Sequence, residues 1–405
     1  MNRSRLNSQL GQVWTLVAIC IVVILACVGL ASDLGFLQLE RHKMQSAADS
    51  AALAGAAELN YGDTVSAART DAASNGYTNG AASVTVTVNN PPTSGQYSGN
   101  AKYVEVIVTK PEQTFFLPVV GIKTVNVAAR AVAGQSNATG CMYSLDPTMS
   151  GAVTGNGNIS VSGSCGLLID SNSSTALSVS GGAATFNTPV GIVGGYSAGN
   201  ATFNPPPHTG IVATGDPLAY FNPPSFSASA CDYKNTTVNK TQTLNPGVYC
   251  GGITIKGNAD VTFNPGTYIL NGGGLSASGN HTITGTGVTF YNTQGYSAYA
   301  PINLSGNVQV NLSAPTSGAM ESMLFFTDRS ITSNLMNSIG GTSGTTYDGA
   351  VYMPNSPLTY YGNSSASGYT ILVADSLTFS GNATIGNDYS SLSDGSPIRT
   401  VVLAE

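Results

Sequence analysis

From about Gly140 onward the chain repeats a turn followed by an alternating strand, and the length of that repeat restricts its possible folds more than any other feature. Leu244 to Gly252 reads LNPGVYCGG and Phe263 to Gly273 reads FNPGTYILNGG, so one Asn-Pro-Gly turn follows the other after a single short interval. Gly-Asn pairs precede alternating segments at Gly257-Asn258, Gly279-Asn280, Gly306-Asn307 and Gly381-Asn382, and the first three are spaced at similar but unequal intervals. Period-two alternation bounded by turn residues reads as strand, and irregular intervals of roughly 20 to 30 residues fit single coils of a β-solenoid. Each coil needs two or three short strands joined by Gly, Asn or Pro turns. Val261, Phe263, Val288, Phe290, Val308, Val310 and Leu312 then point inward and stack, while Ser, Thr and Asn face out. A right-handed parallel β-helix is the favoured architecture. A β-sandwich made from the same strands is the rival, because turn spacing does not separate stacking from Greek-key pairing.

Charge separates this region from what precedes it. Only 8% of the 405 residues are charged, against roughly 25% in ordinary soluble domains. Residues 1–130 sum to +1, and residues 131–405 to -7 with five Lys or Arg. The deficit suits stacked strands, in which hydroxyls and amides ladder without like-charge repulsion. It also argues against nucleic acid as a partner, since the 14 basic residues form no patch that neutralises several phosphates. With 42% hydrophobic residues and a net charge of -6, the chain is not a disordered tail.

Val13 to Ala31 is an apolar run without a charge, preceded by Arg3 and Arg5. It is long enough to span a bilayer. A cleaved signal, with Gly29 and Ala31 before the cut, and lipid attachment at Cys27 are the alternatives to a retained helix. Flanking charge leaves orientation open, because Arg41 and Lys43 follow on the other side. Cysteines bear on it. Cys141 lies near Cys165 in the sequence and Cys231 near Cys250, and none has zinc-site spacing. Two sequence-local disulfides are favoured over the other pairings and over four unpaired buried thiols. Disulfides persist in oxidising compartments, which would put the large region outside the cytoplasm and the N-terminus inside.

After the run the sequence is rich in Ala, Leu, Gln and Glu with no Pro before Pro91, so a helix should continue to about Leu59. Leu30, Leu34, Leu37, Arg41, Met44, Ala48, Ala51 and Gly55 alternate four and three apart, an apolar seam that narrows to small residues. It can pack on the protein's own sheet or on neighbouring helices in an assembly. Residues 61–135 read as a small α+β module: a helix at Thr64–Ser74, and strands at Ser83–Val88, Tyr103–Val108 and Thr124–Val132.

The apolar run followed by Asp33, Leu34, Gly35 and then by Met44, Gln45, Ser46, Ala47, Ala48, Asp49, Ser50, Ala51, Ala52, Leu53 and Ala54 resembles the N-terminal segment of TadG-like Flp pilus-assembly proteins. There a membrane helix is followed by a D-x-G element and an L-Q-x-A-A-D-A-A-A-L-A stretch. The likeness covers about residues 10–60 and implies a place in the bacterial tight-adherence pilus system. It does not make the chain a pilin: five positions after Gly11 stands Leu16, where processed prepilins carry Glu.

Enzymes are common on solenoids, so catalytic constellations are worth seeking. Glycosidase chemistry needs two carboxylates about 5–10 Å apart, but the twelve acidic residues after position 130 are dispersed. The paired aspartates and Gly-His-Gly of pectinase-like β-helices are missing, and His208 and His281 stand alone, each reading as a surface residue. Asp328, Ser330 and Thr332 approximate a D-x-S-x-S metal motif, but the stretch from Thr332 to Glu405 is too short for the domain such a motif opens. No GxxxxGK phosphate loop occurs. Tyr291, Tyr296, Tyr299, Tyr360 and Tyr361 are candidate contacts for a glycan or protein, with core or turn stacking as the bland reading.

The expectation is therefore a non-catalytic protein without cofactor or metal: a membrane anchor and extended helix at 1–60, a small α+β module at 61–135, and a solenoid ectodomain at 136–405. It would sit in the bacterial inner membrane as a single-pass protein and serve pilus assembly or surface adhesion. Its partners would be the membrane, pilus-assembly or other envelope proteins, and surface glycans. A cell-surface polysaccharide-active β-helix enzyme and a stand-alone adhesin are the alternatives.

Overall fold

The structure, a computed structural model, describes residues 4–364 and 368–405. The chain divides into two units, Met1–Ser136 with Thr400–Glu405, and Asn137–Arg399.

In the first unit a single helix, α1, runs over Ser4–Ala57, roughly 80 Å at 1.5 Å per residue. A second helix, α2, covers Thr64–Ser74, the span expected from sequence. Strands β1 (Thr85–Asn89), β2 (Tyr103–Gln113) and β3 (Thr124–Asn137) form an antiparallel sheet, with Arg399–Leu403 added beside β3. Pro111 is tolerated within β2 because the pairing with β1 ends at Thr109, so its missing N–H faces an open edge. The core is built from small residues. Ala47, Ala48, Ala51, Ala52 and Ala56 of α1 meet Ala68 and Ala72 of α2 and Val104, Val106 and Val108 of β2. At Gly55 an added Cβ would lie 3.2 Å from both Ala68 and Val104, so the helix approaches its neighbours as closely as glycine permits.

The second unit is a β-solenoid of about 10 turns, and strand makes up 43% of the chain. The strands pair in parallel, and each turn contributes strands to three faces. The intervals seen in sequence are coil lengths. Leu244 pairs with Phe263, the offset of the two Asn-Pro-Gly turns; Val261 with Ile283, the offset of Gly257 and Gly279; and His281 with Val308, the offset of Gly279 and Gly306. Gly257, Gly306 and Gly381 turn the corners at φ of 76°, 90° and 87°, where an L side chain is strained. Inside, the expected residues are all buried. Rings stack along the axis: Tyr233, Tyr249, Tyr268, Phe290 and Phe325 have successive centroid separations of 4.5, 5.9, 5.2 and 5.4 Å. The sandwich alternative is thereby replaced by stacking.

The coils do not stack in chain order. The first strand, Gly140–Ser144, pairs on one side with Gly166–Ile169 and on the other with Thr370–Ala374. The same holds for Val153–Asn156, between Leu177–Ser180 and Leu377–Ser380, and for Ile159–Gly163, between Ala184–Asn187 and Asn382–Ile385. The chain thus enters mid-stack, winds outward to one end near Thr202–Phe203, and returns from the opposite end, where Tyr233–Val238 pairs with the next coil, to close on its own first coil.

A strap, residues 204–232, links the two ends and is pegged along the way. Asp170 accepts hydrogen bonds from Thr214 and Gly215 at 2.8–3.0 Å. Tyr352 donates to Asp216 at 2.5 Å, and Arg329 donates to the Leu218 and Phe221 carbonyls at 2.9 Å. Phe226 meets Tyr291, Asn271 donates to the Ala228 carbonyl, and the Cys231–Cys250 disulfide fixes the far end. Cys141–Cys165 joins two adjacent coils. Both pairings are the sequence-local ones, and at separations of 24 and 19 each is worth about 3 kcal/mol in the chain-entropy account.

Candidate functional site

The family-like residues of α1 fall into two groups. Ala47, Ala48, Ala51 and Ala52 are buried in the first unit's core, with Leu53 and Ala54 half-buried at its margin. Gln45 donates to Asp49 at 2.7 Å and to the Arg130 carbonyl of β3 at 2.9 Å, fixing the register of helix against sheet. Ser50 donates to Asp71 of α2 at 2.5 Å. The small-residue face is therefore taken up by the protein's own module from Met44 onward, while Leu30 and Leu34, expected on the same seam, are exposed.

The second group surrounds Asp33. Its carboxylate is buried and accepts backbone hydrogen bonds from Phe115, Phe116 and Leu117 at 2.8, 2.9 and 2.7 Å. These donors open the 3₁₀ turn Leu117–Val120 at the tip of the β2–β3 hairpin, where amides lack partners of their own. Gly35 has nothing within 4 Å of an added Cβ, so no packing in this chain requires glycine there. Besides Gly55, the glycine of this helix that packing requires is Gly29: a Cβ would lie 2.9 Å from the Phe116 ring. Sequence reasoning misses that role, which only the fold of the hairpin reveals.

Behind the sheet, Glu105 is fully buried and accepts from Arg130 at 2.6 Å, Thr93 at 2.7 Å, Asn89 at 2.8 Å and Ser94 at 3.0 Å. Burial alone would raise its pKa, but the hydrogen bonds from Thr93, Arg130 and Asn89 outweigh it and hold the carboxyl at about 2.

On the solenoid the tyrosine candidates divide. Tyr291 and Tyr360 are buried, at 3% and 1% exposure, and offer no contact surface. Tyr291 packs edge-on to Phe326, and Tyr360 lies against Tyr347. Tyr296 is exposed, while Tyr299 and Tyr361 are half-buried and donate to Asn337 and to the Leu304 carbonyl. The solenoid's dispersed carboxylates also divide. Asp348 and Asp388 line one cleft of about 260 Å³ with Ser313, Thr316, Tyr369 and Ser390. Asp328 and Asp375 instead each follow a strand of one face, two coils apart. Asp328 is held by Thr293 and Ser330, which takes up the oxygens that the D-x-S-x-S reading needs. Among the described residues no group of three or more His, Cys, Asp or Glu is placed to hold a metal. His281, read as a surface residue, is buried with its ring nitrogens 3.1 and 2.8 Å from the Ala259 and Ser278 carbonyls; His208 is exposed.

A helix long and apolar enough to cross a membrane, a small helix-and-sheet unit on its distal half, and a disulfide-bonded solenoid define the class: a β-solenoid protein with a membrane-length N-terminal helix. The family model described as "Putative Flp pilus-assembly TadE/G-like" matches residues 11–58, the helix that carries Asp33 and the alanine face. No curated protein and no solved structure matches the chain. The match supports a role related to the Flp/Tad pilus.

Proposed function

We propose that this chain is a single-pass inner-membrane protein of the Flp/Tad pilus system whose solenoid lies outside the cytoplasm and acts structurally, in pilus assembly or surface contact. The observation that carries the reading is the family match at residues 11–58, over the membrane-length helix. Support for the orientation comes from Cys141–Cys165 and Cys231–Cys250, since such bonds form in oxidising compartments. In this view residues 1–60 anchor, 61–135 brace the anchor, and 136–405 present Tyr296, Tyr299 and Tyr361 to envelope proteins or glycans, without catalysis. Affinity capture of the full chain from a membrane extract of a strain expressing pilus genes is the test. Recovery of pilus-assembly proteins is expected, and their absence counts against the role. Protease added to spheroplasts should cut the solenoid; protection would reverse the orientation.

A second reading, hydrolysis or lyase chemistry on a polysaccharide, is favoured by one observation, the shared cleft of Asp348 and Asp388. It requires sugar release from a surface polysaccharide that Asp388→Asn abolishes.

A further inference from the structure

We infer that the tip of the β2–β3 hairpin, residues 114–122, is a second membrane-embedded element that enters the bilayer beside α1. The inference rests on Val13–Ala31 being a membrane span. The segment reads TFFLPVVGI, without a charge, and Lys123 follows it. Its apolar side chains point into open space: Val119 is 89% exposed, Val120 69%, Phe115 66%, Phe116 53% and Ile122 45%. In water such a patch is a liability.

The hairpin's alignment on α1 shows where the tip lies. Arg130 of β3 meets Gln45, residues 126–128 border Leu34, Leu37 and Arg41, Phe115 packs edge-on to Phe36 with centroids 5.2 Å apart, and the Phe116 ring covers Gly29. Going toward the tip, the hairpin descends α1 toward its N-terminus. The Phe116 ring reaches Gly29, inside the uncharged run, while the Phe115, Phe116 and Leu117 amides lie at Asp33, just past its end, so the turn Leu117–Val120 sits at the end of that run. The solvent that surrounds Val13–Ala31 is therefore the solvent that surrounds Val119 and Val120.

The backbone is prepared for that solvent. In hydrocarbon, every amide needs an internal partner. The Phe115, Phe116 and Leu117 amides are taken by Asp33, Pro118 has none to offer, those of Thr114, Val119, Gly121 and Ile122 donate to the Lys123, Phe116, Pro118 and Leu117 carbonyls, and Val120 lies within the 3₁₀ turn Leu117–Val120. Asp33 thus does two things at the end of the span. It satisfies three donors that lipid would leave unpaired, and it is itself shielded from lipid by them.

The chain's single tryptophan, Trp14, makes a direct test possible. The full chain is reconstituted into phosphatidylcholine vesicles with and without acyl-chain bromination. Wild-type Trp14 reports on the span, and Val119→Trp in a Trp14→Phe background reports on the tip, with Val120→Trp as an independent second probe. The expected result is blue-shifted emission from both tip probes and quenching by brominated lipid comparable to that of Trp14. Emission quenched by aqueous acrylamide and indifferent to bromination would place the tip in water and overturn the inference. Blue-shifted emission without bromolipid quenching would mean that a second copy of the chain covers the tip, and would overturn it equally. If Trp14 itself escapes bromolipid quenching, the span reading fails and the tip with it, so the two failures are told apart.

Discussion

In the first unit the buried helix face is Ala at five positions, and Met44 is its bulkiest fully enclosed side chain; in the solenoid the enclosed positions hold Tyr249, Tyr268, Phe290, Phe325 and Tyr352. The first unit also relies on an ionic network that starts from one buried carboxylate, Glu105 with Arg130, and runs out to the surface, Arg130 in turn with Glu405 at 2.5 Å. The solenoid relies on ladders of backbone and hydroxyl groups, such as Thr154 with Thr378 at 2.8 Å and Thr262 with Thr284 at 3.2 Å. A helix that must lie close against a sheet needs small residues, so its tolerance is limited by excess volume. Coils stacked about 4.8 Å apart enclose an interior wide enough for rings, so their weakness is lost volume.

The contrast can be broken most visibly from the solenoid side. Phe290→Ala removes a ring packed between Tyr268 and Phe325 and should cost about 3–5 kcal/mol. Chemical denaturation of the full chain in detergent, with hydrogen exchange resolving the units, should show loss confined to Asn137–Arg399. Acid should do the reverse. Glu105 is held charged at about 2 in the folded chain against an ordinary 4.5, so its contribution is full above that ordinary value and is lost as pH falls toward 2. The difference is worth at most about 3 kcal/mol, and Val104–Val108 amides should lose protection in acid before the solenoid does. Glu105→Gln should abolish that pH dependence.

Excess volume comes next. Ala51→Leu should destabilise the first unit by about 1–3 kcal/mol while leaving solenoid exchange unchanged. The smallest effect separates two glycines of one helix. Gly35→Ala should be neutral or stabilising by up to about 1 kcal/mol, since nothing opposes the new methyl and alanine favours helix. Gly29→Ala should displace Phe116 and raise proteolysis at the hairpin tip. If Gly35→Ala leaves stability intact but abolishes capture of pilus-assembly proteins, the glycine of the family-like motif serves a partner.

What can be read from sequence follows the same division. Coil lengths are legible because turn chemistry and side-chain alternation are local. So are α2 and the two disulfides. The order of stacking is not legible: nothing local tells Gly140–Ser144 that its second neighbour is Thr370–Ala374. Sequence does not separate Tyr291 and Tyr360, which stack in the core, from the exposed Tyr296, because a tyrosine enters a core when packing encloses its ring; Tyr347 shows how the hydroxyl is then satisfied, by the Gly340 carbonyl at 2.8 Å. Asp33 stands out as a motif letter, but its role depends on a hairpin far along the chain, at Phe115 to Leu117.

The closing of the last coil on the first sets a timetable for synthesis. Ser144 donates to the carbonyl of Asp375, near the far end of the solenoid's sequence. As the nascent chain emerges, the coil at Gly140–Gly163 therefore presents one unpaired strand edge until almost everything else has been made. An exposed edge invites pairing with other chains. A ribosome stalled after the strap would leave three coils with such an edge, and a chain lacking residues 370–385 should aggregate even though each of its remaining coils has a neighbour to stack on.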